Sequence, residues 1–141
     1  NSPKLVPLRE NLPKLARVRI STNLPVQYAA LESLRGPQDY VNDFVTELKK
    51  RRDFVVKRLN SISGLSCSNP KGAFYAFPKI ENNPYKTDQE FVMELLKKTG
   101  VLTVHGSGFG TQYGSGHFRI VFLPDLKTLD FALNEIEKFS Q

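Results

Sequence analysis

The chain predicts an α+β fold, a small and mainly antiparallel sheet covered on one face by helices. Several long stretches repeat apolar residues every three or four positions, the period of an amphipathic helix. Between them lie short runs rich in valine, phenylalanine and tyrosine, bounded by glycine, proline and asparagine, which read as strands. The elements run helix–helix–strand–strand–helix–strand–strand–helix. The simplest packing of that order is one small sheet with helices on one side. A length of 141 residues suits a single domain with a real core. Within it, residues 1–36 form a lead-in segment and helix, and 37–141 a long helix plus an α/β core.

Residues 5–20 read as a basic, partly helical segment interrupted by Pro7 and Pro13. Residues 23–34 form a helix that starts at Asn23 or Leu24, with Pro25 in its first turn and Gly36-Pro37 ending it. Pro37 pre-sets the long helix, because a missing N–H costs nothing in a first turn. Its stripe is Val41, Phe44, Val45, Leu48, Val55, Leu59 and Ile62, and Gly64 caps it with positive φ. Residues 65–68 and 73–80 are two strands about the turn Asn69-Pro70-Lys71-Gly72. Thr87-Asp88-Gln89-Glu90 has capping-box spacing, with Thr87 as N-cap and Glu90 reaching back to its amide. The helix it opens carries Phe91, Val92, Leu95 and Leu96 and stops at Gly100. Residues 101–104 and 117–123 are strands. Pro124 ends the second, Asp125 caps the last helix, and Leu126, Leu129, Leu133 and Ile136 are its buried stripe.

The stretch 101–123, VLTVHGSGFGTQYGSGHFRIVFL, holds the chemistry. In its second strand Phe118, Ile120 and Phe122 share one face, and His117, Arg119, Val121 and Leu123 the other. Arg119 is a permanent cation in an apolar strand. Either an ion pair or a solvated sheet face accommodates it, or it is a fork for a carboxylate or phosphate that arrives as ligand. The glycine run at 106–110 has GxGxG spacing with no helix after it, so it is neither a P-loop nor a dinucleotide fingerprint. Ser107 is not in a GxSxG elbow. His105 and His117 lack Cys, Asp or Glu at metal-ligand spacing and read as packed or hydrogen-bonded side chains. No metal site is expected, and no lysine lies in an apolar run as a Schiff-base lysine does.

Composition narrows the field further. Hydrophobic residues make up 40% and charged residues 24% of the chain, ordinary values for a soluble globular protein. The net charge of +6 raises nucleic acid as a partner. However, the basic helix interleaves its cations with Glu47 and Asp53, and no nucleic-acid motif accompanies them, so none is expected to bind. Cys67 alone forms no internal disulfide, which suits a reducing cytoplasm. No run is long enough for a membrane span, and the start has no signal-peptide core.

The blocks NPKGAFYAFPKI (69–80), VLTVHGSGFG (101–110) and GHFRIVFLPD (116–125) resemble the C-terminal small domain of class I/II aminotransferases, pyridoxal-phosphate enzymes of fold type I. KLARVRISTNLPVQYAALESLRGPQDY (14–40) and ELKKRRDFVVKRLNSISG (47–64) fit in the same order, so the resemblance covers essentially the whole chain. HGSGFG followed by GHFR is similar to the alanine-aminotransferase-like branch, where His105 replaces the proline found in many relatives. The resemblance implies that Arg119 pairs bidentately with the substrate α-carboxylate and that Phe74, in GAFY, lines the substrate cleft. It implies transfer of an amino group between an amino acid, such as alanine or aspartate, and a 2-oxo acid. It also implies a large domain joined to this one, a homodimeric parent and a cytoplasmic location. The aldimine lysine and the residues that hold the pyridoxal phosphate ring lie upstream of the matched blocks in the family. No catalytic or cofactor-binding residue is therefore assigned here, and the 141 residues alone are expected to be inactive and not to bind the cofactor. The competing reading is a non-catalytic module that reuses the fold to bind an anion or a partner.

Overall fold

A computed structural model describes residues 5–18 and 20–140; Arg19, in the basic lead-in, lies outside the described residues. The chain divides into two compact units, Asn1–Val41 and Asn42–Gln141.

In the first unit, α1 spans Val6–Val18 and α2 spans Leu24–Arg35. The expected interruption of α1 is absent, for Pro7 lies in its first turn and Pro13 is tolerated inside it. Asn23 caps α2, its side chain accepting the Val26 amide at 3.3 Å, with Pro25 in the first turn where no N–H is needed. Neither helix buries a residue.

The long helix α3, Asp39–Ser61, starts two residues after Pro37. Gln38 bridges the junction, donating to the carbonyls of Ser33 and Gly36. Its apolar stripe is buried only toward the C-terminal end, at Val55 and Leu59 and on to Ile62, whereas Val41, Phe44 and Val45 are exposed.

The rest of the second unit is a pair of small antiparallel sheets. Strand β1 (Leu65–Ser66) pairs with β3 (Lys79–Ile80), and β2 (Tyr75–Ala76), β5 (Phe118–Val121) and β4 (Val104–His105) follow in the order β2-β5-β4. A Lys79–His117 bridge links the two sheets. The expected continuous strand 73–80 is therefore two strands in different sheets. Pro78 causes the break, since it has no N–H to offer a ladder; its carbonyl still accepts the Phe118 amide. Likewise, of the expected strand 101–104 only Val104 pairs.

Helices α4 (Asp88–Thr99) and α6 (Leu126–Ser140) cover one face of these sheets together with α3. Phe91, Val92 and Leu95 of α4 and Leu129, Leu133 and Ile136 of α6 meet Phe118, Phe122 and Ala76 in one core. Leu126 stays exposed. Thr87 caps α4 by accepting the Glu90 amide at 3.1 Å. The Glu90 carboxylate reaches back one residue further than a capping box requires, to the Lys86 amide. Gly100, at φ +76°, ends the helix in the left-handed conformation. Asp125 caps α6 through the Thr128 amide at 2.9 Å.

Candidate functional site

Because β5 is the central strand, its alternation sorts the residues. Phe118 and Phe122 are fully buried against the helices, which turns Arg119 to the opposite face. There the guanidinium lies over two aromatic rings. Its carbon lies 4.5 Å from the Tyr75 ring centre and 4.3 Å from that of Phe109. Among the described residues no ion pair includes Arg119, and its Nε is buried without a hydrogen-bond partner.

This geometry dictates what Arg119 can do. Both rings stabilise the cation through their quadrupoles and restrict the plane of the guanidinium. They leave its N–H groups in that plane as donors, the arrangement that matches the two oxygens of a carboxylate. A buried N–H without an acceptor costs about 1–3 kcal/mol. Of the readings open from sequence, an ion pair inside the described chain does not occur.

Phe74 lies one ring away from this cation, its own ring 4.6 Å from that of Tyr75. It also borders an apolar groove of about 350 Å³ with Phe44, Leu48 and Phe122. Tyr75 and Phe109 were not singled out from sequence. The only signal was that both are aromatic residues beside the strand and the glycine loop.

Phe109 ends a 3-10 turn, Gly106–Phe109, followed by a single helical turn, α5, Thr111–Gly114. Sequence gave no helix after this loop; the four residues of α5 are too few to form an anion site at a helix end. Gly106 and Gly114 serve close packing of backbone on backbone. A Cβ on Gly106 would lie 2.2 Å from the Gly114 carbonyl oxygen, and one on Gly114 would lie 2.0 Å from that of Gly106. Only glycine fits at either position.

Ser107, His105 and Asp88 meet beside this turn. The Ser107 hydroxyl donates to Asp88 Oδ1 at 2.9 Å, and His105 Nδ1 lies 2.9 Å from the same hydroxyl. In a serine nucleophile the carboxylate orients the histidine and the histidine takes the serine proton. Here the carboxylate holds the serine itself, so the hydroxyl is anchored rather than activated. His117 is a packed side chain, stacked on Phe77 with ring centres 5.2 Å apart and with Nδ1 2.9 Å from the Ser115 carbonyl. No cluster of metal-ligating side chains exists among the described residues.

Every described lysine is exposed, so none sits in the apolar surroundings that lower an ammonium pKa for imine formation. In the loop the amides of Gly106, Ser107 and Gly110 are already taken by acceptors of the chain, so no phosphate cradle is formed there either. The described residues therefore do not fit an aldehyde cofactor that carries a phosphate.

The family model for aminotransferases of class I and II matches residues 6–136. Among curated relatives, the glutamate-pyruvate aminotransferase AlaA of Haemophilus influenzae is 36% identical over 92% of this chain and 33% of its own length. A probable aspartate/prephenate aminotransferase of Rhizobium leguminosarum is 37% identical over 80% of this chain and 30% of its own. Among solved structures, an alanine aminotransferase from Pyrococcus furiosus superposes with a TM-score of 0.83 at 51% identity, covering 99% of this chain and 35% of that one. An aspartate aminotransferase from Rhizobium meliloti gives 0.74 at 35% identity, covering 81% and 30%. The chain spans about a third of the length of the relatives it matches.

Proposed function

The chain belongs to the class I and II aminotransferases, a pyridoxal-phosphate-dependent family, and from that premise we propose that it is the C-terminal small domain of such an enzyme. The longer protein moves an amino group between an amino acid, alanine or aspartate by similarity to the relatives above, and a 2-oxo acid. It works in the cytoplasm as a homodimer. In this reading Arg119 binds the substrate α-carboxylate, and Phe74 borders the cleft through Tyr75. The observation that carries the proposal is a guanidinium packed on two aromatic rings, unpaired by any acid among the described residues and with an orphan Nε.

The role of this chain is to bind and orient. Two parallel charge-assisted hydrogen bonds from Arg119 fix both the position and the rotation of the substrate carboxylate, and hence the direction of the Cα–H bond. Tyr75 and Phe109 shield part of the cation from water, which strengthens its hold on an anion. Pyridoxal phosphate supplies the electron sink when it is bound elsewhere in the enzyme, and no step through it is assigned to residues described here.

The test compares the 141-residue chain with the longer protein. The longer protein is expected to convert alanine and 2-oxoglutarate to pyruvate and glutamate. The chain alone is expected not to, and borohydride with pyridoxal phosphate should label only scattered surface lysines. Stoichiometric labelling of one lysine in the isolated chain, or a longer protein without transaminase activity, overturns the proposal. The second outcome favours the non-catalytic binding module.

A further inference from the structure

Asp88 is the first residue of α4 and yet only 4% exposed. An aspartate in a first helical turn ordinarily stays in water, where the helix dipole already favours it. A carboxylate is buried at such a place only when its oxygens are satisfied. Here they are satisfied by a residue nineteen positions on. Oδ2 accepts the Ser107 amide at 2.6 Å and Oδ1 accepts the Ser107 hydroxyl at 2.9 Å. The Gln89 amide, 3.1 Å from Oδ1, completes the set.

Ser107 belongs to the turn whose last residue, Phe109, covers one face of Arg119. Other ties on that turn are the Gly106 amide to the His117 carbonyl at 2.8 Å, the Gly110 amide to the Ser107 carbonyl at 3.3 Å, and the edge-to-face contact of Phe109 with Phe77, ring centres 6.1 Å apart. The Gly108 amide also approaches His105 Nδ1, at 3.2 Å. That last tie is conditional. While the Ser107 hydroxyl gives its proton to Asp88, its oxygen accepts only from a protonated Nδ1, whereas the Gly108 amide needs Nδ1 bare. Among the described residues, the clasp by Asp88 is the one charged attachment of the turn to a helix of the core.

We propose that Asp88 is a positioning residue for the anion fork, acting through Ser107 and Phe109 on Arg119. This rests on the reading of Arg119 as the carboxylate site. Without the clasp, the turn keeps its backbone fold at the packed glycines, and the Phe109 ring is left with its edge-to-face contact to Phe77, too little to fix it over the guanidinium. Arg119 then loses a wall and the defined plane of its donors.

The test is a double-mutant cycle in the complete pyridoxal-phosphate-loaded enzyme, with Arg119→Lys run alongside. Asp88→Ala is expected to raise KM for the amino acid by about 3- to 30-fold, the worth of one cation–π wall, with kcat changed far less. Phe109→Ala should do the same. Asp88→Ala added to Phe109→Ala should raise KM no further, because the pathway is already cut. Asp88→Asn should restore part of the effect, since its amide can still take the Ser107 N–H and give a proton to the hydroxyl. A merely structural Asp88 instead gives a lower Tm with KM unchanged, or effects that multiply in the double variant, and either overturns the proposal. If Asp88→Ala does not fold, Asp88→Asn with and without Phe109→Ala decides by the same criterion. Failure of the underlying reading looks different, because Arg119→Lys itself then leaves KM unchanged. If Arg119→Lys raises KM and the Asp88 variants do not, only the role of Asp88 falls.

Discussion

Arg119 was legible in the sequence because a permanent cation in an alternating apolar strand calls for an account, whether an ion pair, a solvated face or an anion that arrives as ligand. Its two walls were not, since Tyr75 and Phe109 come from another strand and a loop, and only the closed sheet brings them to one guanidinium. Asp88 was read as part of a capping box, and no local pattern announces that both its oxygens turn to Ser107. Two other residues give direct expectations. Burial pushes the Cys67 thiol up, outweighing the hydrogen bond from the Phe77 backbone, so its thiolate is scarce and its sulfur covered. A thiol reagent such as DTNB is expected to react with Cys67 only as fast as the protein opens, and rapid native labelling would contradict its placement. Asp125 is held below the usual carboxylate range, chiefly by the Thr128 amide and then by the Thr128 hydroxyl. A depressed folded-state pKa contributes stability that is present above the unfolded value, about 3.9, and is lost as pH falls through the lower folded value. The Tm gap between wild type and Asp125→Ala should therefore be widest near neutrality and narrow below about pH 4. A gap independent of pH contradicts the cap.

Among the elements, those with their own stop and start signals were the easiest to read. Helix α4 lies between Thr87 and Gly100 as expected, and α6 begins just after Asp125, because capping bonds and left-handed glycines act within a few residues. Strands were harder, since pairing is a long-range property. Pro78 divides one apolar run between two sheets, and the β1 partner is the far half of that run rather than the near one. The stripe of α3 is continuous in sequence but buried only along part of the helix, because periodicity tells which residues share a face and not what covers it. The close approach of Gly106 and Gly114 is the most sensitive junction of the site. Gly114→Ala puts a methyl carbon within 2.0 Å of a carbonyl oxygen, and overpacking of this kind costs about 1–3 kcal/mol or more. The variant is expected to melt several degrees earlier and to shift the Phe109 ring resonances; unchanged melting would contradict the packed turn.

At the scale of the whole molecule, the exposed apolar residues and the internal pairing of charge decide behaviour in solution. Leu8, Leu12 and Leu15 in the first unit and Phe44 and Val45 in the second are all more than half exposed, and surfaces of this kind favour association. Sedimentation velocity on the 141-residue chain should show self-association that grows with concentration, against which a strict monomer at high concentration would count. The net charge is +6, but Arg51, Arg52 and Arg58 of α3 are engaged by acids of the chain rather than left free for phosphates. Any binding to nucleic acid is expected to be weak, indifferent to sequence and lost at moderate salt. The central claim, that this domain grips the substrate by its α-carboxylate, belongs to the complete enzyme. Its most direct test is kcat/KM of Arg119→Lys for an amino acid and for the corresponding amine without the carboxylate, with Tm measured on the same variant. Lysine keeps the charge but cannot present two parallel donors. Activity on the amino acid should fall roughly 30- to 150-fold, about 2–3 kcal/mol, while the amine and the Tm are little affected. A variant that melts earlier and loses both substrates alike would show that Arg119 serves the scaffold and not the site.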